Sequence, residues 1–309
     1  MSYRKKIVID CDPGIDDALA LMLALSKEDI DLKAVTAVFG NVDVDRAFEN
    51  IMKVMSLCKI KDIPPIAKGA GVSLSGAPYS PRFVHGVDGL GNTNLKVPEI
   101  DLEPEDATEL IKRVFRKDEI DTLVTLGPLT NIAKILVEEP AIKEDIRQIV
   151  LMGGVVYAKG NATDSAEFNI YQDAEAAKIV INSKIPIKLV SLDSTRKILY
   201  TKKVLERIKH KKDSQLSEFI HKMFNFALDY HRKYRKRDGV YLPDVLAMCI
   251  VLDENLGKFK DLSLDVDFED DIGKVFINLK AENNIEFLED VDINKAVDIF
   301  VDGINKMIG

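Results

Sequence analysis

One stretch near the N-terminus constrains the fold more than any other. Lys5 to Cys11 is a short apolar run ending in acidic residues, which reads as a buried strand. Pro13-Gly14 then turns the chain. Asp16 to Leu25 carries Ala, Leu and Met on all sides, which predicts a well-buried helix. Leu32 to Phe39, rich in Val and Ala, predicts a second strand. Strand, helix and strand in close succession make a parallel crossover, and parallel sheets carry helices on both faces.

The alternation continues. Helices are predicted over Val44 to Cys58, Pro104 to Arg116, Leu129 to Val137 and Asp173 to Asn182. Strands are predicted over Pro65 to Lys68, Thr122 to Leu126, Ile146 to Met152 and Ile187 to Ser191. Three helical segments follow: Lys202 to Ile208, Ser214 to Tyr234 and Pro243 to Leu252. Leu262 to Phe268 and Gly273 to Leu279 alternate like a small C-terminal β-hairpin, and a helix over Ile293 to Ile308 closes the chain. The expected class is α/β, an open and mostly parallel sheet with helices on both faces and a Rossmann-like core. There is no low-complexity linker, repeat or composition break, so residues 1–309 read as one domain.

Charge excludes one class of partner. The net charge of -8 argues against a nucleic-acid backbone, which needs a basic stripe. The one basic run, Arg232 to Arg237, reads as a solvated helix face. Cys11, Cys58 and Cys249 are far apart and odd in number, which argues against a disulfide framework. No secretory apolar region and no membrane-length run occurs, so a reducing cytoplasm is expected. Cys11 itself reads as a small packed residue.

Two long stretches, Gly69 to Val97 and Gly153 to Asn169, fit neither helix nor strand. Long loops in a compact domain are functional or disordered. Both carry polar groups suited to ligands: Arg82, His85 and Asp88 in the first, Asn161, Glu167 and Asn169 in the second.

The sharpest signal is Asp10-Cys11-Asp12-Pro13-Gly14-Ile15-Asp16-Asp17. In open α/β sheets ligands bind outside the carboxyl ends of strands, where all four of these carboxylates fall. So many carboxylates repel one another unless a cation sits among them, and their hard oxygens suit calcium or magnesium. Helix capping would explain Asp16 and Asp17 but not Asp10 and Asp12. Gly40-Asn41, Leu126 to Asn131, Met152-Gly153-Gly154 and Asp244 stand at further strand or helix ends.

Asp10 to Ala18 resembles the N-terminal signature of the inosine–uridine-preferring nucleoside hydrolase family. Asn41, Gly127-Pro128-Leu129-Thr130-Asn131 and Met152-Gly153-Gly154 resemble its later landmarks. So do Asn161, Glu167-Phe168-Asn169, the loop His85-Gly86-Val87-Asp88-Gly89-Leu90-Gly91, and Asp244-Val245-Leu246-Ala247. The resemblance implies hydrolysis of ribonucleosides to ribose and free base, by homodimers or homotetramers. It implies one Ca2+ held by Asp12, Asp17, the Leu126 carbonyl and Asp244, with Asp12 taking a proton from a calcium-bound water. Asp16 and Asn169 are then expected on the ribose hydroxyls, and Asn41 orients that network. Asn161 and Glu167 are expected on the 5′ hydroxyl, with Met152 and Phe168 lining the sugar.

The pattern departs at one place. Well-studied members carry a His directly before the C-terminal metal Asp, implicated in protonating the leaving base; here that position is Pro243. The chain thus resembles a subgroup lacking this His. His85, His231, Tyr230, Tyr234 and Tyr241 are candidate replacements, with His85 in a loop expected to close over the site. The chain has no Trp, so Phe83, Phe168 or a Tyr is left to stack on a base. An aspartate-nucleophile phosphatase does not fit, because Gly14 stands where a Thr or Val is expected. A non-catalytic, metal-dependent nucleoside- or ribose-binding protein stays open, as does a hydrolase of a related ribosyl compound.

Overall fold

The computed structural model describes residues 3–76, 83–97, 104–283 and 285–309. The first half alternates as the sequence predicts: β1 (Lys5–Cys11), α1 (Ile15–Leu25), β2 (Ile30–Ala37), α2 (Val44–Cys58) and β3 (Ile66–Lys68). Then come β4 (Glu105–Asp106), α3 (Ala107–Lys117), β5 (Thr122–Thr125), α4 (Thr130–Glu138) and β6 (Ile149–Met152). The helical half follows: α5 (Phe168–Gln172), α6 (Ala174–Ile181), β7 (Ile187–Val190), α7 (Leu192–Thr195), α8 (Lys202–Leu205), α9 (Gln215–Arg235) and α10 (Pro243–Leu252). The chain ends in β8 (Gly257–Leu262), β9 (Leu264–Asp267), β10 (Lys274–Ile277), β11 (Ile285–Val291) and α11 (Ile293–Ile308).

Nine strands form one sheet, in the order β4-β3-β2-β1-β5-β6-β7-β11-β8. Every pairing in it is parallel except β11 with β8. Strands β9 and β10 pair separately as the expected hairpin. Side-chain parity along the strands feeds two cores, one on each face. Ile7 and Ile9 of β1 pack on the side of α1, α2, α9, α10 and α11. Val8 packs on the side of α3, α4 and α6. Helix α1 is buried from Ile15 to Ala24, because α10 and α11 close over its outer side.

Three local readings are corrected. The helix predicted from Pro104 starts at Ala107, because Asp106 takes the N-cap and accepts from the N–H groups of Thr108 and Glu109. The loop expected to run to Asn169 stops at Glu167, which caps α5. Strands β4, β8 and β11 are additions: β4 pairs with β3 at the sheet edge, and β11 slots between β7 and β8 after a long excursion of the chain.

Candidate active site at the carboxyl edge of the sheet

Succession along the sheet reverses direction between β1 and β5. From β1 the chain steps to β2 on one side; from β5 it steps to β6 on the other. A crevice forms outside the strand ends at such a switch point. Asp12 leaves the end of β1 and Leu126 leaves the end of β5, so these two expected site residues flank it. A cavity of about 480 Å³ opens here, in the size range of small-molecule sites.

The cavity collects most of the expected residues. Asp16, Asn41, His85, Leu126, Met152, Asn161, Glu167, Phe168, Asn169 and Asp244 line it. Asp16, Asp17 and Asp244 each offer an oxygen within 4.8 Å of the others. Asp12 stands beside this triple, and its backbone N–H donates to Asp17 Oδ1 over 3.3 Å. Two features fit a cation. Asp12 Oδ1 and Asp16 Oδ1 are buried with no hydrogen-bond partner, and the donors are hard oxygens. Leu126 O already accepts from Asn169 Nδ2 at 2.7 Å, and a carbonyl has a second lone pair to offer.

Burial and mutual repulsion set the electrostatics. Burial pushes Asp16 and Asp17 up to about 6, and Asp17 also feels Asp16. Burial pushes Asp12 and Asp244 well above the usual carboxylate range, with Asp17 adding to the first and Asp16 to the second. A divalent cation among them reverses this sign and favours the ionised forms.

Asp10 does not join the cluster. Within β1 it shares the face of Val8, away from α1 with its Asp16 and Asp17, whereas Asp12 lies past the strand's end; there Thr36 Oγ1 donates to Asp10 at 2.5 Å and Asn131 Nδ2 at 2.8 Å. Asp10 is thus not one of the four carboxylates expected around a cation; its place is structural.

Two close approaches hold Asp12. Its Oδ2 accepts from the Asn41 N–H at 2.5 Å. A Cβ at Gly40 would overlap that oxygen, and one at Gly127 would stand 2.9 Å from Oδ1. Gly40→Ala is therefore expected to leave the fold intact and lower turnover on the order of 10²-fold, by displacing the carboxylate. Wild-type kcat in this variant would show that Asp12's placement is not critical.

His85 lies at the end of a single 3-10 turn and reaches the start of α1. Its Nδ1 accepts from the Ile15 N–H at 3.1 Å and stands 3.6 Å from Asp16 Oδ1. That acceptor role, and a pKa lowered by burial to about 4, make the ring neutral rather than a salt-bridge partner. Asp88 turns back on its own loop, accepting from the N–H groups of Leu90, Asn92 and Asn94. Glu167 is fixed by the N–H groups of Gly154, Asn169 and Ile170. Of the proposed proton donors, His231 and Tyr241 line the cavity beside Pro243, whereas Tyr230 and Tyr234 pack on each other outside it. Arg82 lies outside the described residues, as does the side chain of Phe83.

Several contributors were not among the expected site residues. Asp193, just past β7, accepts from the N–H groups of Val156, Tyr157 and Ala158 and so pins the loop bearing Asn161. Arg196 donates to the carbonyls of Lys159 and Gly160 in the same loop. Arg235 and Arg237, members of the run read as a solvated face, line the cavity. A strand-end position for Asp193 was the one available signal.

An oxygen-lined crevice at the switch point of a parallel sheet belongs to an α/β enzyme acting on a small polar substrate. The chain belongs to the inosine-uridine preferring nucleoside hydrolase family, whose model matches residues 7–298. By that membership it is an N-glycosyl hydrolase. It is 40% identical over 229 residues to a pyrimidine-specific ribonucleoside hydrolase RihA of Photobacterium profundum, covering 74% of this chain and 73% of the relative. It is 32% identical to a probable uridine nucleosidase 1 of Oryza sativa subsp. japonica, covering 84% and 80%. The structure of a purine-preferring ribonucleoside hydrolase from Gardnerella vaginalis superposes with a TM-score of 0.92 at 27% identity, covering 98% of this chain and 99% of that one. A plant nucleoside hydrolase, PpNRh1, superposes with a TM-score of 0.90 at 30% identity, covering 97% and 99%. No helix among the described residues is long and apolar enough to cross a membrane.

Proposed function

We propose that this chain hydrolyses the N-glycosidic bond of ribonucleosides to ribose and free base, with Ca2+ as cofactor and Asp12 as general base. The observation that carries this reading is the unpartnered Asp12 Oδ1 beside the carboxylate triple of Asp16, Asp17 and Asp244. Asp12, Asp17, the Leu126 carbonyl and Asp244 would hold the cation. A bound cation would lower the pKa of a water and supply positive charge beside the ribose hydroxyls.

The chain's own residues do the rest. Asp12 Oδ2 is anchored by the Asn41 N–H, so Oδ1 is left to accept the water's proton. Asn41 Nδ2 also reaches Asp17 Oδ2 at 3.2 Å, which orients the pair. Asp16 and Asn169 hold the 2′ and 3′ hydroxyls. Asn161 and Glu167 hold the 5′ hydroxyl, and Met152 and Phe168 cover the sugar. The carboxylates favour the positive charge that develops on the ribosyl ring.

The curated relatives name pyrimidine substrates and one solved neighbour names purines, so the base is left open. The strands of the large sheet come from both ends of the sequence, which supports residues 1–309 acting as one unit. Cys11, Cys58 and Cys249 are all unpaired, in keeping with a reducing cytoplasm. Assembly as a homodimer or homotetramer rests on the family resemblance.

A nucleoside panel tests the proposal. Ribose release is expected from ribonucleosides without inorganic phosphate, and 2′-deoxy analogues are expected to lose on the order of 10²-fold or more in kcat/KM. Binding without ribose release would make the chain a nucleoside-binding protein. Equal turnover of deoxy substrates would remove the hydroxyl-chelating role of the site.

A further inference from the structure

Breaking the bond between C1′ and nitrogen sends an electron pair to the base. Either a proton meets that pair or positive charge stabilises it. Pro243 faces the cavity and has no proton to give. Tyr241, His231, Arg235 and Arg237 form the wall around it.

Two of these are cations. Among the described residues no carboxylate lies within salt-bridge distance of Arg235 or Arg237, although Arg232 on the same helix pairs with Asp229 and Asp238. Arg237 also has a ring partner: its guanidinium carbon lies 4.3 Å from the centroid of the Tyr241 ring. The chain path explains this. Helix α9 stops at Arg235, Lys236 takes a left-handed conformation (φ 52), and Arg237 turns back onto Tyr241. The cavity therefore has carboxylates at its floor and guanidiniums on its wall.

We propose that Arg237, with Arg235 beside it, stabilises the departing base as an anion, so that the base leaves unprotonated. The inference rests on the hydrolase reading above. The C1′–N bond breaks with its electron pair going to the base nitrogen. Water oxygen bonds to C1′, its proton passes to Asp12, and the base anion takes a proton from solvent after release. A guanidinium suits this task, since the nitrogen and neighbouring carbonyl of a uracil-type anion share charge as a carboxylate does, and an Arg fork matches that edge.

The test compares uridine with 4-nitrophenyl β-D-ribofuranoside, whose leaving anion is already stable. Arg237→Met is expected to lower kcat on uridine on the order of 10²-fold with little change in KM, and on the nitrophenyl riboside by no more than about threefold. Arg237→Lys recovers part of the loss. Arg232→Ala, outside the cavity, is a control expected to change neither. The wild-type kcat profile on uridine is expected to lack the descending alkaline limb of a general acid. Equal losses on both substrates overturn the proposal. So does a descending limb seen with uridine alone, or a uridine-specific loss in Tyr241→Phe that Arg237→Met does not share. A wild-type enzyme silent on both substrates overturns the hydrolase reading itself.

Discussion

Asp12→Asn is expected to lose on the order of 10³–10⁴-fold in turnover while melting no earlier than the wild type. The loss follows from removing Asp12 Oδ1, a buried carboxylate oxygen with no hydrogen-bond partner and so free to take a proton from water. The retained stability follows from electrostatics. Asp12 is disfavoured as an anion by burial and by Asp17, and a neutral amide relieves both. The Asn41 N–H keeps an acceptor, because the amide oxygen replaces Asp12 Oδ2. Thermal melting beside steady-state kinetics reads both sides. Full activity in this variant would end the assignment of Asp12 as base, and an early melt would point to a structural role.

The second large effect is the response to chelation. Stripping divalent cations is expected to abolish ribose release, and calcium is expected to restore it. Stability gives an independent readout with a defined sign. A carboxyl whose pKa is raised on folding keeps a proton that the unfolded chain has released, so stability falls as pH rises towards the folded value. Asp12 and Asp244 lie well above the usual range. His85 and His231 are lowered to about 4, so their contribution rises with pH until the unfolded value near 6.5 and then stops. Asp10, Asp16 and Asp17, at about 6, are largely spent by the same point. Asp12 and Asp244, raised by burial and by their carboxylate neighbours, act in the same downward direction. Tm in chelator should carry this downward carboxyl contribution as pH rises, and the increment given by calcium should widen as the carboxylates ionise. An increment independent of pH would mean that the cation binds elsewhere.

How much of this could be read from the chain depends on whether the cause is local. The centre of the sheet is legible because β1, β2, β5 and β6 are apolar on both faces. The boundaries of α2 and α11 are legible because Asp43 and Asp292 cap them. Strand β11 is not: Glu286, Glu289 and Asp290 make it look like surface, and its partners β7 and β8 are chosen by tertiary packing. The site divides in the same way. Asp12, Asp16 and Asp17 announce themselves by density at a strand end. Asp10 misleads because density does not tell a residue held inside the strand by Thr36 and Asn131 from one past its end. Arg235 and Arg237 mislead because a run of charge says nothing about where a helix stops, and the turn at Lys236 is what brings Arg237 back to the cavity wall.

The junction of α1 with α10 has a consequence for the order of events in folding. Asp17 belongs to the first helix and Asp244 to one near the end, yet their oxygens share one small space. A cation there ties together chain segments separated by most of the sequence, as a crosslink does, and loop-closure entropy makes such a tie valuable. The same distance means a growing chain cannot present the complete carboxylate triple until α10 has been made and docked. Metal capture would thus wait for α10: a product truncated before it could show strands and helices, but it would lack Asp244 to close the clasp.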